Sequence, residues 1–122
     1  MRLYGPWDPG SEPAGETLTP KAVRDMIVDC FTATHGEQFS EDRTELGMDA
    51  RPDAVRESVV GIVRLAFRQV GGDFDNPRAA DLARVVNLLA ERSLSWGVPQ
   101  ETVFQHHCSM TRVLGRMPTL EN

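Results

Sequence analysis

The sequence predicts an all-α protein: a four-helix bundle preceded by an extended, Pro/Gly-rich N-terminal arm. Four segments carry apolar residues at the 3.6-residue period of an amphipathic helix. No segment alternates with period two for long enough to form a strand. The connections after the second and third predicted helices are short, as is typical of helical bundles. With 122 residues, the chain has the size of one domain.

Residues 1–18 are predicted to form the arm, because they combine frequent proline and glycine with no apolar periodicity. Tyr4 and Trp7 are the large aromatic residues of this segment. Such side chains either pack back onto the domain or dock on a partner. The helical domain is expected at 19–118, with a short tail at 119–122.

Helix 1 is predicted over 20–35. Thr19 can cap the helix and Pro20 suits its first turn, where a missing N–H is harmless. One apolar stripe follows, formed by Val23, Met26, Ile27, Cys30, Phe31 and Thr34. Gly36 is expected to end the helix.

The acidic run 36–52 is predicted to be a solvated connection between the first two helices. Its acidic residues recur every four positions, at Glu37, Glu41, Glu45 and Asp49. Like charges at that spacing repel one another on a helix. A cation site is the less favoured alternative for these residues.

The remaining helices are predicted over 53–70, 77–95 and 99–116. Asn76-Pro77 and Pro99 mark the starts of the last two, and Gly71 and Gly97 mark the ends of the second and third. Gly61 lies inside the second helix, where glycine costs about 1 kcal/mol relative to alanine unless a neighbour packs closely. Short loops make the second, third and fourth helices antiparallel neighbours.

Charge and cysteine content limit the classes of function. The net charge is −5, and residues 1–76 hold 8 basic and 14 acidic side chains, against 5 and 4 in 77–122. Neither part resembles the basic patch that binds a phosphate backbone. No apolar run approaches the length that spans a bilayer, and the start lacks a secretory apolar stretch. The chain is therefore predicted to be cytoplasmic, with both of its cysteines reduced.

The run TVFQHHCSM at 102–110 places two histidines beside a cysteine. His107 falls in a heptad seam with Val103, Met110, Leu114 and Met117. Adjacent helical residues diverge by about 100°, so the three polarisable side chains fan around the helix and do not chelate one ion. Structural histidines are the preferred interpretation. The alternative is a metal site built from Cys30 and His107 across the bundle, with an acidic third ligand.

Catalytic and cofactor motifs are missing from the sequence. It contains no HExxH, GxxxxGK[ST], GxGxxG, GxSxG or CxxC, and no paired Glu-x-x-His of di-iron bundles. A nucleophilic Cys108 would need a base from another helix. We expect no cofactor, and an enzymatic role is disfavoured.

The stretch ERSLSWGVPQETVFQ resembles the turn of a helix-turn-helix motif, with Ser93, Gly97 and Val103 at its small and apolar positions. That likeness implies DNA binding as an alternative function. The implied base-reading residues are Gln100, Thr102 and Gln105, with Arg112 as a further DNA contact. Against it stand the long first helix, His106 at a usually apolar position, and Glu101 where phosphate would lie.

The leading prediction is a small, non-catalytic interaction or regulatory module that forms a homodimer. Helices 2 and 3 carry more apolar residues than one buried face requires, including Leu65, Leu88 and, at the helix end, Trp96. Surplus apolar surface is covered by another layer or another chain, and most soluble oligomers are two-fold homomers. The competing interpretation is that the arm covers this surface through Tyr4 and Trp7.

Overall fold

A computed structural model describes residues 18–117 of the chain. Within that range the protein is all-helical, with four helices and no strand. The helices are α1 (Pro20–Glu45), α2 (Pro52–Gln69), α3 (Ala79–Ser95) and α4 (Gln100–Leu114). The all-α prediction is confirmed for this part of the chain. Tyr4, Trp7 and the predicted tail at 119–122 lie outside the described residues.

The start of α1 follows the predicted pattern, and α2 begins at Pro52, next to its predicted start at 53. The Thr19 hydroxyl accepts a hydrogen bond from the backbone N–H of Ala22 at 3.1 Å, and Pro20 occupies the first turn. Leu18, which was assigned to the arm, is instead buried in the core. The start of α3 predicted at Asn76-Pro77 lies too early in the chain. The capping residue is Arg78, and the helix begins at Ala79.

The predicted end of α1 at Gly36 is wrong, and the solvated connection predicted over 36–52 is confirmed only for residues 46–51. The helix continues to Glu45, and Gly36 is buried inside it. Phe39 packs against the core on this added stretch. Arg43 donates to the backbone oxygen of Asp49 and, at 2.9 Å, to the Ser58 hydroxyl. Repulsion between like charges at this spacing costs only about 0.2–0.5 kcal/mol per pair, so these tertiary contacts outweigh it.

The helices pack mainly in two pairs, α1 with α2 and α3 with α4. The Nε2 of His107 lies 2.7 Å from Oδ1 of Asn87. Each of these residues is about two helical turns from the α3–α4 connection. Two helices that still touch so far from their turn form an antiparallel hairpin, as predicted. Gly97, with φ of 90°, supplies the left-handed conformation that this turn requires.

The two hairpins meet in one hydrophobic core. Its side chains come from all four helices. They include Val23, Ile27, Val28, Phe31, Val59, Val63, Phe67, Leu82, Val85, Leu89, Met110 and Val113. Cys30 is buried among them, so its predicted role as a small core residue agrees with its position.

The connection between α2 and α3 adds Phe74 to this core. Its ring lies edge-on to Phe67, with 5.8 Å between centroids. The guanidinium carbons of Arg24 and Arg64 lie 4.7 and 4.5 Å from the Phe74 ring centroid. Arg24 also donates to the Phe74 backbone oxygen at 2.7 Å. These contacts tie α1 and α2 to the segment that leads into α3.

Candidate functional site

A cavity in the described part of the protein lies where α1 meets the α3–α4 hairpin. Its volume is about 50 Å³ and its walls are mostly apolar. The apolar wall residues are Ile27, Phe31, Val86, Leu89, Ala90, Val103 and Met110. Cys30, Thr34, Ser93, His106 and His107 supply the polar groups. We call this cavity the α1/α3/α4 cleft.

His106 connects α4 to α1 through the hydroxyl of Thr34. The Thr34 hydroxyl donates to the backbone oxygen of Cys30 at 2.9 Å and also lies 2.9 Å from Nδ1 of His106. The Thr34 hydroxyl can donate to only one of these two acceptors, because it has a single proton. Burial lowers the pKa of His106.

His106 and His107 both line the cleft, but they contact residues of different helices, since His106 lies beside Thr34 of α1. His107 points to α3, where its Nε2 meets the acceptor oxygen of Asn87. Cys108 is half-buried. Within the His106-His107-Cys108 run, the two histidines thus contact α1 and α3, and Cys108 is not among the residues that line the cleft.

The proposed metal ligands Cys30 and His107 do line the same cleft. Burial, and then the charge of Asp29, raise the pKa of Cys30 to about 12. The Cys30 thiol is therefore protonated near neutral pH, and a metal would have to displace its proton to bind there. Among residues 18–117, no group of three or more His, Cys, Asp or Glu side chains is placed to hold a metal ion.

An aromatic cluster adjoins the cleft around His35. The ring centroids of Phe31 and Trp96 lie 4.3 and 5.2 Å from that of His35, and Phe39 lies 6.1 Å away. Nε2 of His35 is 2.8 Å from the hydroxyl of Ser93. Burial, with a smaller contribution from nearby His106, lowers the pKa of His35 to about 4. The ring is therefore neutral at pH 7.

Sequence reasoning missed His35, Thr34 and Ser93 as polar groups at this junction. A helix that ended at Gly36 would not include Phe39. The predicted helix therefore lacked the full face that Phe31, His35 and Phe39 share. The four-residue spacing of Phe31, His35 and Phe39 is the sequence pattern that indicates this shared face. The pairing of His35 with Ser93 was not predictable, because it joins residues of two helices that are remote in sequence.

The predicted partner-binding residues differ in exposure. Leu65 and Trp96 are 42% and 48% exposed. Leu88 is half-buried and packs against the core, so it offers less free surface than Leu65.

The predicted base-reading residues lie on the outer side of α4. Gln100, Gln105 and Arg112 are exposed, and Thr102 is half-buried. Helix-turn-helix motifs join their helices at about 90–120°. The contact between Asn87 and His107 instead holds α3 and α4 together along their length, which favours a plain helical hairpin.

Comparison of the chain with protein-family models, curated protein sequences and solved structures found no match. None of the described helices has both the length and the apolar composition needed to cross a membrane.

Proposed function

We propose that the chain is a small, non-catalytic helical module that works by binding other protein chains, and that it forms a homodimer. One observation carries this proposal: large apolar side chains stay exposed after all four helices have built the core. They include Leu46, Met48, Leu65, Leu94 and Trp96. Exposed apolar side chains in such number are typical of interaction surfaces when they lie together.

The chemistry of the cleft supports binding over catalysis. Its volume of about 50 Å³ is far below the roughly 300–1,000 Å³ of pockets that enclose small molecules. The pKa of the Cys30 thiol lies near 12 and that of His35 near 4. Groups whose pKa values are shifted this far from 7 are poor nucleophiles or general bases near neutral pH, since the pKa of a catalytic group lies close to the working pH.

The homodimer is proposed to form through the face of α2 that bears Leu65. This side chain is 42% exposed. Ile62, about one turn earlier on the same side of α2, is only partly covered by the core. Leu88 was the second residue expected in this interface, but its packing against the core makes it a smaller contributor.

Light scattering coupled to size exclusion tests the dimer. We expect twice the chain mass of 13.6 kDa at tens of micromolar protein. Leu65→Glu is expected to give a monomer with unchanged helicity, because a charge at an apolar interface is costly to bury. Phe104→Glu, at an exposed position on α4, is the matched control and should leave the mass unchanged.

A mass of one chain for the unaltered protein would overturn the dimer. Equal loss of mass in Leu65→Glu and Phe104→Glu would place the interface elsewhere. Leu88→Glu tests whether Leu88 belongs to the dimer interface or to the core. Loss of helicity would assign it to the core of each subunit.

A further inference from the structure

The aromatic face of α1 extends beyond the helix that covers it. Phe31, His35, Phe39 and Leu46 are spaced by four, four and seven residues, so they share one side of the helix. Trp96 covers the first three, with its ring centroid 6.0 Å from Phe31 and 6.2 Å from Phe39. Trp96 is also the C-terminal cap of α3. Leu46 lies two turns, or about 10 Å, past Phe39.

The uncovered part of this face is a small apolar surface, which we call the α1 shelf. It consists of Leu46, the part of Phe39 that Trp96 leaves exposed, the exposed edge of Trp96, and Met48 of the loop that follows α1. Leu46 is 74% exposed, and Met48, two residues further, is 49% exposed. Phe39 is half-buried. The shelf is thus an unpartnered helix face, continuous with the aromatic cluster that anchors α3.

Hydrogen bonds hold the far end of the shelf in one shape. The backbone N–H of Met48 donates to the oxygen of Arg43 at 2.8 Å. Arg43 in turn bonds the oxygen of Asp49 and the hydroxyl of Ser58. Leu46 and Met48 are therefore presented by an ordered loop, which reduces the entropy lost when a partner binds.

The surroundings of the shelf are acidic. Between residues 36 and 58 there are seven acidic and three basic side chains. The acidic residues are Glu37, Glu41, Asp42, Glu45, Asp49, Asp53 and Glu57. Two of the three arginines are engaged locally: Arg43 as described, and Arg51 with Asp49 at 2.8 Å. Asp42, between Phe39 and Leu46 on the same face, and Glu45, next to Leu46, place carboxylates at the apolar surface.

We propose that the α1 shelf binds a cationic amphipathic helix of another protein. Apolar side chains of that helix would cover Leu46, Met48 and the edge of Trp96. Lysine or arginine side chains beside them would pair with Asp42 and Glu45. A second copy of this chain is a poor occupant, because two-fold pairing would place two acidic surfaces together. The shelf is separate from the proposed dimer face on α2.

The test uses the full chain with Trp7→Phe, which leaves Trp96 as the sole tryptophan. The probe is a synthetic helical peptide with leucines on one face and lysines on the other. We expect saturable quenching or shift of the Trp96 fluorescence, weakening as salt is raised because the pairing charges are exposed. A peptide of the same composition in scrambled order should bind about tenfold more weakly, since it has no apolar face.

Variants localise the binding. Leu46→Ser with Met48→Ser should weaken the peptide about tenfold or more, as expected when central apolar contacts are removed. Glu45→Lys should weaken it and flatten the salt dependence. Phe104→Ser is the matched control, 66% exposed on α4, and should not change the affinity.

The proposal would be overturned by no response of Trp96, by equal binding of the scrambled peptide, or by an affinity unaffected by the Leu46 and Met48 changes. Equal weakening by Phe104→Ser would show non-specific adsorption and would also overturn it. The titration can be made on monomer or dimer, so failure of the dimer proposal leaves this outcome readable.

Discussion

At His35, a titratable ring lies among aromatic side chains and has one hydrogen-bond partner, Ser93. The pKa of the His35 ring is about 4 in the folded protein, compared with about 6.5 in an unfolded chain. Between these values the unfolded chain binds a proton that the folded chain does not. The free energy of unfolding therefore falls as the pH drops from about 6.5 to about 4, and this contribution then levels off.

His35→Phe should reduce this pH dependence. Urea unfolding at pH 7.5 and pH 4.5 measures the loss of stability in each protein. The loss should be larger in the unaltered chain, by on the order of 2 kcal/mol. Other titrating groups, including His106, are present in both proteins and largely cancel in the difference. Equal losses would show that the His35 environment does not exclude the proton.

At the scale of a helix, the surroundings of Gly61 and Gly72 predict opposite effects of an alanine substitution on stability. A Cβ on Gly61, within α2, would meet no atom within 4 Å. No neighbour packs closely on it, so Gly61→Ala should stabilise the protein by up to about 1 kcal/mol through helix propensity. Thermal and urea unfolding measure this gain. A loss of stability would mean that α2 packs more tightly at Gly61 than its surroundings indicate.

Gly72, just after α2, faces the buried carboxylate of Asp81 at the start of α3. A Cβ there would lie 3.0 Å from Oδ2 and 3.1 Å from Cγ. Asp81 cannot retreat freely, because Arg78 and Arg84 pair with its oxygens at 3.3 and 3.5 Å. Gly72→Ala should therefore destabilise the protein by about 1–3 kcal/mol. Unchanged stability would show that the α2–α3 connection shifts at little cost.

Across the whole molecule, the two hairpins meet along a surface that contains Cys30. Its buried thiol, with a pKa near 12, reacts only when the hairpins separate or the chain unfolds. Iodoacetamide labelling at pH 8, followed by mass spectrometry, should modify half-buried Cys108 first. We expect Cys30 to react slower by a factor on the order of a hundred or more.

The same experiment tests how cooperative the fold is. In a Cys108→Ser variant, the labelling rate of Cys30 should rise with urea in parallel with loss of helicity. Fast labelling at low urea, while helicity is intact, would show that the hairpins part as separate units.

Local sequence patterns predicted the features that depend on neighbouring residues. Apolar periodicity predicted four helices, the Thr19-Pro20 pair predicted the start of α1, and Gly97 predicted the α3–α4 turn. Each is a property of about one or two helical turns. The contacts of adjacent His106 and His107 with different helices are likewise expected from the step of about 100° between neighbouring helical residues.

Tertiary contacts decided the rest. Gly36 and the repeated acidic residues favour an end to α1, yet packing of Phe39 and the bonds of Arg43 carry the helix to Glu45. The partners of His35 and His106 come from other helices, and so do the exposure of Leu65 and the partial burial of Leu88. Local preferences of a few tenths of a kcal/mol are weaker than the burial of one large side chain, worth about 1.5–3 kcal/mol. For this reason the sequence alone determined which segments are helical, and packing determined where α1 ends and which surface it leaves uncovered.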